Sequence, residues 1–317
     1  MTTLAFLFPG QGSQFPGMGK DLVEAYPEAR EVYERADAAL APFHLSVSKV
    51  SFEGQEDELR QTAVTQPAIL VHSIAVFEVL RARGIVPTIA AGHSLGEYSA
   101  LVAAGALTLE EAVVLVRRRG VFMQEAVPAG EGGMSAVIGL PGADVAAVAQ
   151  AAATAAGSVC AAANFNSPEQ TVIAGDGGAL AKAGEMLKAR GAKRVLPLPV
   201  SAPFHCALMK PAELKLTPYL DSTPFRPLSF PVVTNVDAAA NADPGSAREA
   251  LRRQVCSAVR WVEVVELISR SAGLGVEVGP GSVLTGLGKR IARDWPMKAT
   301  SDRAGLERTL AELSARS

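Results

Sequence analysis

The pentapeptide Gly92-His93-Ser94-Leu95-Gly96 sets a serine between two glycines. An apolar run, Ile85 to Ala91, precedes it, and a helix-like run, Glu97 to Ala104, follows. That order predicts a sharp strand-to-helix turn that pushes the serine hydroxyl into the open beside a helix N-terminus. The glycines let the backbone turn and let neighbouring chain pass close. Free N–H groups at the helix start favour negative charge such as the oxyanion of an acyl-transfer intermediate. A G-x-S-x-G pattern also occurs in plain turns; the strand-turn-helix setting is what favours a nucleophile here.

A serine nucleophile needs a base. The chain has four histidines: His44, His72, His93 and His205. His72 falls inside a predicted helix and reads as a packing residue, and His44 sits in a loop with no further signal. His93 is next to the serine, where tight turns point neighbours apart. His205, in a loop after a strand, is a common place for a base. Counting alone puts His205 only modestly ahead of His93. Cys206 reads as a small core residue, since no cysteine-hydrolase signature surrounds it. No His/Cys/Asp cluster has metal-ligand spacing. The second glycine-rich loop, Gly10-Gln11-Gly12-Ser13-Gln14, lacks a following Lys-Ser/Thr and is not a phosphate loop. A backbone N–H aimed at an oxyanion is the better reading.

The elements that must carry these residues alternate. Leu4 to Phe8 reads as a strand, Lys20 to Ala39 as a helix, Gln66 to Arg83 as a helix closed by Gly84, Ile85 to Ala91 as a strand, and Leu109 to Glu125 as a helix. This predicts an α/β fold with a parallel sheet covered on both faces. Between about Gly130 and Val200 the order becomes β-α-β-β-α-β, a ferredoxin-like unit inserted into the larger one. Its strands are Gly133 to Leu140, Val159 to Asn164, Thr171 to Ala174 and Lys193 to Leu198. Phe230 to Asn235 and Leu274 to Val278 are further strands, and Asp302 to Ala315 a closing helix. The expected division is residues 1–129 and 201–317 for the catalytic domain and 130–200 for the insertion.

The chain's 317 residues, 49% hydrophobic and 20% charged, predict a sizeable core and argue against disorder. A net charge of −2 argues against a general nucleic-acid binder. Three scattered cysteines, Cys160, Cys206 and Cys256, fit a reducing compartment without disulfides. The N-terminal apolar run lacks the basic start of a secretory leader. The alanine-rich stretch Val145 to Ala163 reads as a helix leading into a strand, not a membrane span. A soluble cytoplasmic protein is the expectation; the sequence leaves the oligomeric state open, a monomer included.

Seven blocks occur in order: Gly10-Gln11-Gly12-Ser13-Gln14, Thr65-Gln66-Pro67-Ala68, Gly92-His93-Ser94-Leu95-Gly96-Glu97-Tyr98, Arg119-Gly120-Val121-Phe122-Met123-Gln124, Asn164-Phe165-Asn166-Ser167-Pro168, Phe204-His205-Cys206-Ala207-Leu208-Met209 and Glu277-Val278-Gly279-Pro280-Gly281. Across nearly the whole chain this string resembles the malonyl-CoA:acyl carrier protein transacylases of bacterial fatty acid synthesis. Acyltransferase domains of polyketide synthases share the blocks more loosely. The resemblance implies an α/β-hydrolase-like large domain and a ferredoxin-like insertion. It also implies ping-pong transfer of malonyl from malonyl-CoA to the phosphopantetheine thiol of acyl carrier protein, without a cofactor or metal.

By the same resemblance Ser94 is the nucleophile and His205 its base, oriented by backbone carbonyls rather than an aspartate. Gln254 matches the orienting position. Backbone N–H groups of Gln11 and Leu95 are the implied oxyanion donors. Arg119 matches the carboxylate-binding position, which suits a guanidinium fork facing the free carboxylate of malonyl; Arg117 and Arg118 remain surface candidates. Gln66, His93, Phe204 and Asn164 are implied in the pocket or in supporting the base. Phe204 departs from the small residue usual in the fatty-acid branch; its bulk argues for malonyl over methylmalonyl. Lys193, Arg194, Lys289 and Arg290 are the candidate dock for an acidic carrier. A discrete polyketide-pathway acyltransferase and a serine esterase or thioesterase are the alternatives, the latter normally having an acidic residue behind the base.

Overall fold

The structure, a computed structural model, describes residues 3–128, 130–200 and 202–314. Among the described residues ten strands form two sheets. They are β1 (Leu4–Phe8), β2 (Ile89–Gly92), β3 (Gly132–Ile138), β4 (Cys160–Ser167), β5 (Gln170–Asp176), β6 (Arg194–Pro197), β7 (Val232–Val233), β8 (Ala240–Asn241), β9 (Leu274–Glu277) and β10 (Met297–Ala299). The larger sheet has the order β10-β9-β1-β2-β7-β8 and is parallel except at β8. The smaller is antiparallel, in the order β4-β5-β3-β6.

The alternation of side chains along β1 explains why the parallel sheet needs cover on both faces. Phe6 and Phe8 enter one apolar core, while Ala5 and Leu7 enter another. Ala90 in β2 joins the first core, and Ile89 and Ala91 join the second. The first core is roofed by the helices Thr62–Arg81 and Leu109–Glu125, the second by the helix Trp261–Ser271 with Trp261 fully buried. The smaller sheet buries Val137 and Ile173 against Val145, Val148, Ala183 and Leu187 of its own two helices. This is the expected two-unit architecture, an α/β-hydrolase-like main body with a ferredoxin-like insertion. The boundary residues Ala129 and Ser201 lie outside the described residues, as do 1, 2 and 315–317.

Several elements differ from their sequence reading. The run from Lys20 is two helices, Lys20–Ala25 and Pro27–Leu40, because Pro27 starts a new helix and Tyr26 before it is extended. The helix read from Gln66 begins earlier, at Thr62, and tolerates Pro67 inside it. Proline has no N–H for the Ala63 carbonyl four residues back, and Arg117 Nη1 bonds that carbonyl instead at 2.8 Å. Arg117 therefore mends a helix, and Arg118 lies over the ring of Tyr219, 4.1 Å from its centroid. Both arginines are half-buried packing residues rather than free surface charges.

The strand before the serine starts only at Ile89, because Ile85 still bonds the end of the preceding helix and Pro87 cannot donate. The strands of the β4–β5 hairpin run past Asn164 to Ser167 and back from Gln170, leaving only Pro168 and Glu169 as the turn. The strand read over Phe230 to Asn235 shrinks to Val232–Val233. The helix Thr62–Arg81 is long and apolar enough to cross a membrane, yet 94% of that window is buried inside the protein.

Candidate active site

Parallel strands share one carboxyl edge, and in α/β sheets that edge gathers the site. The loop after β1 carries Gln11, the turn after β2 carries Ser94, and the segment after β7 carries Asn235. Ser94 sits at φ 51°, in the left-handed region, where a side chain costs energy and a sharp turn is made. The flanking glycines serve close approach instead. A Cβ on Gly92 would fall 1.8 Å from the Gly96 carbonyl carbon, and one on Gly96 would fall 2.0 Å from the Phe8 carbonyl oxygen. The helix Gly96–Ala103 starts directly beyond.

Of the four histidines, His205 reaches the serine. Its Nε2 lies 2.8 Å from Ser94 Oγ. Its Nδ1 lies 2.9 Å from the backbone carbonyl oxygen of Gln254. A carbonyl only accepts, so Nδ1 carries the proton and Nε2 is left as the acceptor for the serine hydroxyl. His205 is buried at φ 60°. Burial, and secondarily the Arg119 charge, pull its pKa down to about 3, so the imidazole is neutral. His93 turns away: its Nε2 meets Asn166 Oδ1 of the insertion at 2.8 Å, and its ring packs edge-on against Trp261. Burial raises the Cys206 thiol to about 11, which keeps it from being a thiolate.

Arg119 comes from the helix Leu109–Glu125, started by a Thr108–Glu111 capping box. Gly120 next to it lets this helix close on the Thr62–Arg81 helix, since a Cβ there would lie 2.7 Å from the Ala63 Cα. The contact brings Gln66 to Arg119. Nη1 donates to Gln66 Oε1 at 2.8 Å, and Nη2 donates to Gln254 Oε1 at 2.9 Å and to Ser94 Oγ at 3.1 Å. The guanidinium lies over the Tyr98 ring. Only 1% of Arg119 is exposed and its Nε has no partner; the nearest carboxylate acting on it is that of Glu97, through charge rather than a direct hydrogen bond. The hydrogen-bond partners of Arg119 are all neutral, so its guanidinium keeps a donor face toward the cavity that an anion would satisfy.

Two residues at the centre were not singled out by sequence. Asn235 Oδ1 accepts from Ser94 N at 2.7 Å, and its Nδ2 donates to the Gly92 carbonyl at 2.7 Å, so one amide pins both sides of the serine turn. Glu97 Oε2 accepts from Asn235 N at 3.0 Å and from Gln254 Nε2 at 2.8 Å. Burial pushes the Glu97 carboxyl up to about 7. The available signals were a carboxylate one turn past the serine in an otherwise apolar helix, and an asparagine at the end of a short apolar strand.

The serine opens on a cavity of about 150 Å³. Gln11, Leu95, Gln66, His93, Asn164 and Phe204 all line it. Gln254 lies behind the wall and acts through Arg119 and His205. Asn164 also bridges to Val259 of the main body, which ties the insertion to the site. Lys193, Arg194, Lys289 and Arg290 stand outside this cavity and are exposed. Lys289 and Arg290 line a separate groove with Arg293 and Glu169, and Lys193 pairs with Glu169 at 3.7 Å. Glu277, in the last of the seven blocks, caps the helix Val283–Ile291 by accepting from Leu284 N and Thr285 N. Among the described residues no group of three or more His, Cys, Asp or Glu side chains could hold a metal.

An α/β-hydrolase-like body with a serine on its strand-helix turn is common to esterases and acyltransferases, and the match of residues 5–306 to the acyl transferase domain model assigns the acyltransferase class. Malonyl CoA-acyl carrier protein transacylase of Bacillus subtilis (strain 168) is 45% identical, over 99% of this chain and 98% of that protein. The crystal structure of an acyl carrier protein S-malonyltransferase from Vibrio cholerae superposes with a TM-score of 0.93 at 45% identity, covering 97% of this chain and all of that one. A malonyl-transacylase solved in complex with a type II polyketide acyl-carrier protein superposes with a TM-score of 0.94 at 44% identity, covering 98% and 100%. This chain belongs to the malonyl CoA-acyl carrier protein transacylase family.

Proposed function

We propose that this chain moves malonyl from malonyl-CoA to the phosphopantetheine thiol of acyl carrier protein in fatty acid chain elongation, through an ester on Ser94. The observation that carries the reading is Arg119 Nη2, a buried cation 3.1 Å from the Ser94 hydroxyl. Malonyl differs from acetyl by one carboxylate, and a fixed guanidinium beside the nucleophile favours the acyl group that has it.

Ser94 Oγ attacks the thioester carbonyl as its proton passes to His205 Nε2. Backbone N–H groups of Gln11 and Leu95 face the oxyanion. The tetrahedral intermediate collapses, the carbon–sulfur bond breaks, and the CoA thiolate takes the proton from His205. The carrier's thiol then gives its proton to His205 and attacks the ester, and Ser94 leaves with the proton restored. Arg119, steadied by Gln66 and Gln254, holds the carboxylate throughout. Apolar walls including Met123, Met134, Val172, Leu198 and Phe204 exclude water, so transfer outruns hydrolysis. Phe204 disfavours an α-methyl branch by about 1–3 kcal/mol. His93 and Asn164 shape the pocket.

Residues 1–129 and 201–317 form the catalytic unit and 130–200 the insertion. The carrier, an acidic protein, docks on Lys193, Arg194, Lys289 and Arg290. The reaction needs no cofactor, and the protein works in the cytoplasm. Intact-protein mass after incubation with malonyl-CoA tests the reading. A malonyl adduct that disappears in Ser94→Ala, and that passes to holo carrier protein, is the expected result. No adduct, or release of free malonate at the rate of CoA release, overturns it.

A further inference from the structure

The Gln254 side chain touches both the arginine and the serine turn. Its Oε1 accepts from Arg119 Nη2, while its Nε2 donates to the Ser94 carbonyl at 2.9 Å and to Glu97 Oε2 at 2.8 Å. Arg119 can only donate and the Ser94 carbonyl can only accept, so the amide has one satisfied orientation. The same Glu97 oxygen accepts from Asn235 N, and Asn235 holds Ser94 N. One carboxylate oxygen therefore joins the support of the nucleophile to the support of the cation. Glu97 is 1% exposed, touches neither Ser94 Oγ nor His205, and has no place in the steps above.

We propose that Glu97 is a positioning residue for acyl-group choice: by holding the second Nε2 proton of Gln254, it keeps that amide's oxygen on Arg119 and the guanidinium aimed at the acyl carboxylate. The proposal rests on Arg119 as the carboxylate clamp. What it requires of residue 97 is an acceptor at the right reach, not a negative charge. A carboxamide of the same length offers its oxygen to Gln254 Nε2 and Asn235 N alike. A side chain one methylene shorter withdraws the acceptor from Gln254 Nε2 and Asn235 N, leaves both buried N–H groups unsatisfied, and lets the Gln254 amide tilt off Arg119. A plain charge-balancing role for Glu97 opposite Arg119 predicts the reverse dependence, on charge and not on reach.

The test compares kcat/KM for acylation of Ser94 by malonyl-CoA and by acetyl-CoA in Glu97→Gln, Glu97→Asp and Glu97→Asn, with thermal unfolding as the check on folding. Both short variants are expected to lose malonyl-over-acetyl preference by about tenfold, the scale of one hydrogen bond to a charged group. Loosening of Asn235 lowers the rate with both donors alike, and the loss peculiar to malonyl-CoA falls mainly on its KM. Glu97→Gln, neutral but of full reach, is expected to keep the preference within about threefold. Glu97→Asn reads the same quantity if Glu97→Asp does not fold. Equal losses on the two donors, or an unchanged ratio in the short variants, reduce Glu97 to a structural residue and overturn the proposal. Glu97→Gln losing the ratio as fully as Glu97→Asp overturns it in favour of charge balance. Arg119→Ala is the control on the premise: if it leaves the ratio intact, the clamp itself fails, whatever the Glu97 variants do.

Discussion

Ser94 and His205 stand 111 positions apart in the chain, yet both occupy left-handed backbone, at φ 51° and 60°, and meet at 2.8 Å between Oγ and Nε2. Neither is a glycine, so each holds a conformation that a side chain resists. The strain puts the hydroxyl and the imidazole in the same small cavity, where surrounding hydrogen bonds over-determine them.

Relief of that strain is measurable at Ser94. Glycine takes this backbone without the Cβ penalty, whereas alanine keeps it. Ser94→Gly is expected to be more stable than Ser94→Ala by about 1 kcal/mol, read from urea unfolding midpoints of the two inactive variants. Equal stability, or a more stable alanine, means the turn is not strained.

The turn also depends on Asn235, whose amide bonds Ser94 N and the Gly92 carbonyl at 2.7 Å each. Asn235→Ala leaves a buried N–H and a buried carbonyl unpaired, at a cost of about 1–3 kcal/mol. The rate of malonyl-enzyme formation at saturating malonyl-CoA should fall at least about tenfold, since the nucleophile is no longer fixed, with KM much less affected. A KM effect without a rate effect would place Asn235 in substrate binding instead.

The acid limb of acylation reports on His205. In the proposed mechanism its neutral form is the base, and burial together with Arg119 pulls the pKa to about 3. Protonation therefore removes the base only well below the ordinary histidine range, and acyl-enzyme formation should persist below pH 5. Arg119→Met removes the repelling cation, so the limb should move upward, toward 6.5. Rapid-quench acylation by acetyl-CoA, which has no carboxylate to lose, reads both enzymes; limbs at the same pH would show that Arg119 exerts no field on His205.

His72, within the helix Thr62–Arg81 and fully buried, has its pKa pulled down by burial to about 4. The unfolded chain binds this proton near pH 6.5 and the folded one does not. The contribution to stability is therefore full above about 6.5 and is lost as pH falls from there through 4. In His72→Leu the unfolding midpoint should drop less between pH 7 and pH 4.5 than in the parent. Identical drops would assign the acid sensitivity to other groups.

The division between sequence and tertiary structure runs along contact distance. The sequence by itself determined the strand-turn-helix around Ser94, the helix over Leu109–Glu125, the β-α-β-β-α-β order of the insertion and, through ordered motif blocks, the family. Those signals are local: periodicity and glycine spacing act within a few residues of themselves. Composition could not show that Pro67 inside a helix is mended by Arg117, or that Tyr26-Pro27 splits a helix in two. It left His93 and His205 nearly level as bases, because nothing in either loop says which way an imidazole turns. Only the fold decided that His93 faces Asn166 and that His205 faces Ser94. Asn235 and Glu97 were illegible for the same reason. Their roles exist only where the ends of β1, β2 and β7 converge with the end of the helix Pro244–Gln254, across 138 to 160 positions of chain. A hydrogen bond needs atoms within about 3 Å, and the linear order of residues does not specify which distant amide will arrive there.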